Sequence, residues 1–208
     1  MSNVKNQAKP PSRQARARRP RNSAATRRAL VDAAAQIFNG PGYFATDTNA
    51  IARTAGYAPA SFYKHFDDKT SVLLAVYEDY VVEEWNGLRE TMAGGGSVRA
   101  RLQRALSFIV EFHGAWTSFR TGIRAVARIE PTVAEALRHS RARQLDLLAD
   151  ATGLSPTRNR AALLLTLSIV ERLADTVLEG EASTPAIPRS VMLAQAERAL
   201  LPLLVGAK

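Results

Sequence analysis

Between Thr46 and Phe66 the chain carries side chains suited to recognition rather than to bond-making. The stretch reads Thr46-Asp47-Thr48-Asn49-Ala50-Ile51-Ala52-Arg53-Thr54-Ala55-Gly56-Tyr57-Ala58-Pro59-Ala60-Ser61-Phe62-Tyr63-Lys64-His65-Phe66. Its spacing fits two short helices, Thr48–Ala55 and Pro59–Phe66, joined by Gly56-Tyr57-Ala58. Ile51 and Ala55 turn inward, Ala52 is small enough for a second helix to cross closely, and Gly56 supplies the left-handed turn. Phe62 and Phe66 face the core, which leaves Pro59, Ala60, Ser61, Tyr63, Lys64 and His65 on or beside the outer face. Hydroxyl, ammonium and imidazole groups along one exposed helix are the groups that meet phosphates and base edges of duplex DNA. A glycine between two short helices is common in helical proteins, so this spacing alone is a weak signal.

A second group of charges lies ahead of that segment. Residues 1–28 hold Lys5, Lys9, Arg13, Arg16, Arg18, Arg19, Arg21, Arg27 and Arg28 and no acid, while the whole chain carries 28 Lys and Arg against 19 Asp and Glu. The other 180 residues therefore balance at 19 basic and 19 acidic, and the net +9 sits in one short arm. Such a block attracts a polyanion, nucleic acid or an acidic membrane surface, or is a solvated tail.

Catalysis finds little support. The histidines, at positions 65, 113 and 139, have no metal-binding spacing, and Glu111-x-His113 stands alone. Gly94-Gly95-Gly96 follows no strand and carries no lysine, so it is not a phosphate-cradling loop, and no nucleophile motif occurs. Zero cysteines exclude a disulfide-stapled secreted domain, thiolate zinc sites and cysteine nucleophiles. No cofactor is expected. No apolar run approaches the roughly 20 residues of a membrane span, and the basic N-terminus has no apolar segment behind it. A cytoplasmic location is the expectation.

The elements that must position these groups are helices throughout. Hydrophobic residues make up 46% of the 208 residues, enough for a real core. Residues 1–22, with Pro10, Pro11 and Pro20 among Ser, Asn, Gln and Arg, read as a flexible arm. Helical periodicity starts near Ser23, places Leu30, Ala33, Ala34, Ile37 and Phe38 on one face, and stops at Gly40-Pro41-Gly42. A longer helix starts at Lys69 after the N-cap Asp68 and reaches about Glu90. Further helices are expected over 97–114, 116–129, 132–151, 156–179 and 189–204, with Pro131, Pro156 and Pro188 at or beside first turns and Gly153 and Gly180 as stops.

The combination is more telling than its parts. Thr26-Arg27, Ala33-Ala34 and Phe38, then Gly42-Tyr43, Thr46, Ile51-Ala52, Ala55-Gly56 and Ser61-Phe62-Tyr63-Lys64-His65-Phe66 with Lys69 closely resemble the DNA-binding domain of the TetR/AcrR family of bacterial regulators. The likeness covers roughly residues 26–76, about a quarter of the chain. It implies an all-α fold: a three-helix helix-turn-helix domain over 23–76, then a helical effector-binding and dimerisation domain over 77–208. It implies that Pro59–His65 is the recognition helix, with Ser61 and Lys64 at bases or nearby phosphates and Pro59 and Ala60 near a thymine methyl. Tyr63 and His65 look like the family's phosphate-contacting pair, and Thr46, Thr48 and Lys69 like further backbone contacts.

Three features depart from the family pattern. Ala58 stands where a serine usually caps the recognition helix, and Asp47 where a neutral hydroxyl is usual. Residues 29–75 set Arg53, Lys64 and Lys69 against Asp32, Asp47, Asp67 and Asp68, so the folded unit is not basic. Arg13–Arg28 are then expected to supply the salt-dependent affinity.

In the C-terminal part, Phe108, Phe112, Trp116 and Phe119 form an aromatic stripe on consecutive helical turns. Any one of them is more readily core than pocket wall. The resemblance implies an effector cavity that this stripe would line, with His113, Arg120, Arg124 and Glu171 adding polar contacts. Arg120 and Arg124, one turn apart, would favour an anionic ligand. The last two helical segments are too broadly apolar for one neighbour, and the resemblance pairs them across a two-fold axis in a homodimer. The partners implied are a palindromic operator in double-stranded DNA, a small-molecule effector and a second copy of the chain, with no membrane. Effector binding would release a repressor from DNA. Activation, ligand-assisted repression, or non-specific DNA binding through the arm are the alternatives.

Overall fold

A computed structural model of the chain describes residues 23–179 and 187–205. The described residues form nine α-helices, one 3-10 turn and no strand. The N-terminal basic arm and the expected stop at Gly180 lie outside the described residues.

Helix α1, Ser23–Asn39, buries Thr26, Leu30, Val31, Ala33, Ala34 and Phe38, one stripe at helical spacing. Gly42, at φ 98°, reverses the chain into the turn Tyr43–Ala45. Helix α2, Thr48–Thr54, is capped by the Asp47 carboxylate, which accepts from Ala50 N at 2.7 Å. This satisfies one of the orphan donors of the first turn. Asp47→Ala is expected to cost about 1 kcal/mol, read as a lowered midpoint in urea unfolding.

The turn between α2 and α3 is closed by two backbone bonds. Gly56 N donates to Arg53 O at 3.0 Å and Tyr57 N to Ala52 O at 2.9 Å, with Gly56 at φ 79°. That pattern is a Schellman stop, and it requires a left-handed residue where the sequence has glycine. Helix α3 covers only Pro59–Phe62, shorter than the expected Pro59–Phe66. Ala58 gives it no side-chain cap, so the fixed φ of Pro59 sets the first turn. His65 N and Phe66 N both donate to Phe62 O, at 2.9 and 3.0 Å, so the segment tightens into a turn instead of continuing.

Helix α4, Lys69–Ala93, starts at a reciprocal cap in which Asp68 Oδ1 accepts from Ser71 N and Ser71 Oγ accepts from Asp68 N. It runs unbroken through Val76 and Tyr77, where the sequence reading divides the chain. Helices α5 (Val98–Ala115), α6 (Thr117–Val126), α7 (Pro131–Thr152), α8 (Arg160–Glu179) and α9 (Arg189–Val205) complete the body. Gly153, at φ 72°, ends α7 as expected, while Pro156 sits in a turn before α8, where Asn159 Oδ1 accepts from Ser155 N at 3.0 Å.

Buried apolar residues on both sides of positions 76 and 77 belong to one cluster. One continuous apolar cluster runs from Leu30, Phe38 and Phe62 through Val76 and Tyr80 to Phe119, Val126 and Leu145. The Asn39 side chain adds a polar tie: its Nδ2 donates to Ala115 O at 2.6 Å and its Oδ1 accepts from Phe119 N at 3.2 Å. The end of α1 is thereby fixed to the junction of α5 and α6. A second cluster, including Leu106, Ile109, Val170 and Leu200, joins α5, α8 and α9.

Candidate nucleic-acid interface

The helix-turn-helix segment presents its polar groups outward. Phe62 is fully buried and Phe66 nearly so, while Pro59, Ala60, Tyr63 and Lys64 are exposed and Ser61 and His65 half-buried. Phe62 and Phe66 meet at 5.6 Å between ring centroids, and the Arg27 guanidinium lies 4.9 Å over the Phe66 ring. Aromatic packing below therefore fixes which way the polar residues point above. Tyr63 leans its hydroxyl 2.9 Å from Thr48 Oγ1, joining the start of α2 to the end of α3. One of the two hydroxyls donates to the other, so the pair keeps one O–H proton for a phosphate oxygen.

Ser61, Lys64 and His65 border a cleft of about 250 Å³ whose other wall is Ser23, Thr26 and Tyr57. The sequence reading did not place Tyr57, Ser23 and Thr26 at this face. Tyr57 stands in the turn just before α3, and the start of α1 brings Ser23 and Thr26 to the same cleft from more than 30 residues away.

Lys69 is placed differently from the expected phosphate contact. Its ammonium donates to Tyr43 O at 2.9 Å and Thr46 O at 2.8 Å and lies 4.1 Å over the Tyr43 ring. Burial lowers its pKa, opposed by the nearby Asp47 carboxylate. The charge is largely spent on holding the 43–46 turn, which makes Lys69 a positioning residue for Thr46 and α2. Thr46 is half-buried, and its hydroxyl makes only a long 3.5 Å contact to Asp47 O.

A family model described as "Bacterial regulatory proteins, tetR family" matches residues 30–76, the stretch that carries this interface. Over residues 30–76 the chain is similar to the TetR family. The curated relatives include the HTH-type transcriptional regulator BetI of Rhizobium meliloti (strain 1021), 31% identical over 100 residues, 45% of this chain and 49% of the relative. The HTH-type transcriptional activator FasR of Mycolicibacterium smegmatis (strain ATCC 700084 / mc(2)155) is 31% identical over 83 residues, 40% of this chain and 38% of the relative. The chain thus spans half or less of the curated relatives it matches. A solved TetR-family structure from Rhodococcus sp. superposes with TM-score 0.66 at 24% identity, covering 87% of this chain and 99% of the other, and shows the shared fold.

The aromatic stripe is divided between two helices, with Phe108 and Phe112 on α5, Trp116 at the junction and Phe119 on α6. Tyr80 of α4 forms the hub, with ring centroids 5.2 Å from Phe112, 5.6 Å from Trp116 and 5.7 Å from Phe119. Burial pushes the Tyr80 phenol well above its ordinary pKa, with the Glu84 carboxylate adding to the rise. Phe108 and Phe112 border an outer groove, whereas Phe119, Arg120 and Glu171 border an interior cavity of about 130 Å³. Arg120 and Arg124 both donate to Asp175, at 2.9 and 3.0 Å, so the anion their spacing suggested is supplied by the protein. Glu171 is paired with Arg141, and buried His113 sits 2.5 Å from Glu84. Among the described residues no group of three or more His, Asp or Glu is arranged to hold a metal, and no helix is long and apolar enough to cross a membrane.

Proposed function

We propose that this chain is a sequence-specific DNA-binding transcriptional regulator: a homodimeric repressor, released from a palindromic operator by a small-molecule effector. The observation that carries the reading is the exposed polar face of Pro59–His65 on a buried Phe62–Phe66 base, within the matched residues 30–76. Ser61 and Lys64 read base edges or adjacent phosphates, and Tyr63, His65, Thr46 and Thr48 hold register on the backbone. Selection of bound sequences from random duplexes tests this. A single palindromic motif is expected. Equal retention of all duplexes would remove the reading. On the selected operator, Lys64→Ala is expected to weaken binding and lower the slope of log affinity against log salt by about 1. Ser61→Ala is expected to relax the motif at one position per half-site, with the slope unchanged.

Exposed apolar side chains on the last two helices support dimerisation. Leu164, Leu165, Leu178, Val191 and Val205 are each at least 37% exposed, on helices whose opposite faces pack into the core. A two-fold pairing of α8 and α9 would cover them and bring two recognition helices to adjacent half-sites. Sedimentation at micromolar concentration is expected to give twice the 22.6 kDa chain mass. A monomer would sink the pairing.

For release, the shared core and the Asn39 tie offer a mechanical route from the helical body to α1 and the recognition segment. An effector that prefers one arrangement of α5 and α6 shifts the population away from the DNA-binding state. Activation is the second reading, favoured by the name of the FasR relative, an activator.

A further inference from the structure

The helical body holds a second, larger cavity at the end away from the recognition segment. It opens between the C-terminal part of α4, the start of α5, the ends of α7 and α9, and the middle of α8. Its first α4 residue, Leu88, is 19 positions beyond Lys69, which is about 30 Å along the helix. Its volume is about 400 Å³, against about 130 Å³ for the ion-paired cavity beside Arg120. Ligand sites for drug-sized molecules are roughly 300–1,000 Å³, so of these two cavities the distal one is large enough for such a molecule.

Its wall is chemically one-sided. Leu88, Met92, Leu102, Leu106, Ile109 and Val170 supply most of the surface. The two hydroxyls in the wall are already used: Thr152 Oγ1 donates to Leu148 O at 2.7 Å, and Thr166 Oγ1 to Ala162 O at 2.8 Å. No carboxylate lines it. The charges are Arg89, which donates to Asn86 Oδ1, and Arg101, both exposed and, among the described residues, without an acidic partner. Nearby cations are committed elsewhere, Arg99 to Glu197 and Arg104 to the carbonyls of Thr91, Gly94 and Gly95. A mainly apolar interior whose two hydroxyl protons are already donated, with two cations at its rim, selects an apolar body ending in an anion.

We infer that this cavity binds an amphipathic anion: an unbranched apolar chain inserted among α4, α5, α7 and α8, with a carboxylate-class head at Arg89 and Arg101. The inference rests on the effector-controlled reading for its regulatory meaning, but not for binding itself. Titration calorimetry of the full chain with hexanoate, octanoate, decanoate and dodecanoate tests it. Affinity is expected to rise about fourfold per methylene and to level off once the cavity is full. Decylammonium should bind at least about tenfold more weakly than decanoate. Arg101→Ala, at an exposed position, should weaken decanoate several-fold and leave decan-1-ol unchanged. Ala105→Phe, which fills the cavity from α5, should abolish the chain-length dependence, with a thermal melt confirming that the variant folds.

A flat chain-length series, equal binding of decylammonium and decanoate, or unchanged binding by folded Ala105→Phe would overturn the inference. Operator retention separates the two readings. Chain-length-dependent binding without DNA release would support the cavity assignment and remove its regulatory role. DNA release by decanoate in a folded Ala105→Phe variant would place the effector elsewhere and overturn the assignment.

Discussion

Replacing Phe62 by alanine is expected to destabilise the protein by about 3–5 kcal/mol and to abolish operator binding. Phe62 is 0% exposed and lies under the recognition turn, packed on Phe66 and joined to the same cluster as Ile51, Leu30 and Val72. Truncation removes the ring and leaves a cavity that the short helix above cannot fill, since Pro59–Phe62 has only four residues and no side-chain cap of its own. The helix persists because it is packed, not because it is intrinsically stable. Thermal melting should fall by on the order of 10 °C. Phe62→Leu should recover most of the stability and part of the DNA affinity. If Phe62→Ala kept native operator affinity, Pro59–His65 would not be the element that reads DNA.

The second large effect is expected from the basic arm. Deleting residues 1–22 removes seven of the nine cations that account for the net charge, and no acid. Ser23, the residue that follows the arm in sequence, borders the same cleft as Ser61, Lys64 and His65. Within the folded part, Arg28 is tied to Asp32 and Asp79 and Lys69 to backbone carbonyls, so the described surface has few cations to spare for phosphates. Each phosphate contact contributes about 0.9 to the slope of log affinity against log salt. For an arm making about four contacts, raising salt from about 50 to about 200 mM should cost the intact protein roughly a hundredfold more affinity than the truncated one. Operator titrations of both forms across that range measure it. Parallel slopes would exclude the arm. Loss of sequence preference with the arm, in place of loss of salt dependence, would favour the non-specific binding alternative.

Much of the interface was legible because its signals are local. Gly56 marks the one turn position at positive φ between α2 and α3, Asp47 and Asp68 mark helix starts, and the Phe62–Phe66 spacing marks a buried base. Each depends on residues within about one helical turn, where sequence distance and spatial distance agree. The end of α3 was less legible. Continued helical periodicity extended it to Phe66, whereas the packing of both phenylalanines closes it after Phe62.

The C-terminal body was legible as helices and little more. Arg120 and Arg124 read as an anion site because they are one turn apart, yet their anion is Asp175, 55 and 51 residues on. The spacing of Phe108, Phe112, Trp116 and Phe119 gave a face, but Tyr80 from another helix decides which of them meet.

Composition and helical period on their own determined that this chain folds as helices around an apolar core, with a pair of short helices near one end and its excess charge ahead of it. Tertiary packing alone decided that Lys69 serves the turn beneath Thr46, that the two halves share a core through α4 and Asn39, and that five helices leave an apolar hollow rimmed by arginine. The reason is range. Caps and periods are set by neighbours along the chain, whereas ion pairs and cavities depend on which distant side chains arrive at the same place, and no spacing rule along one helix encodes that.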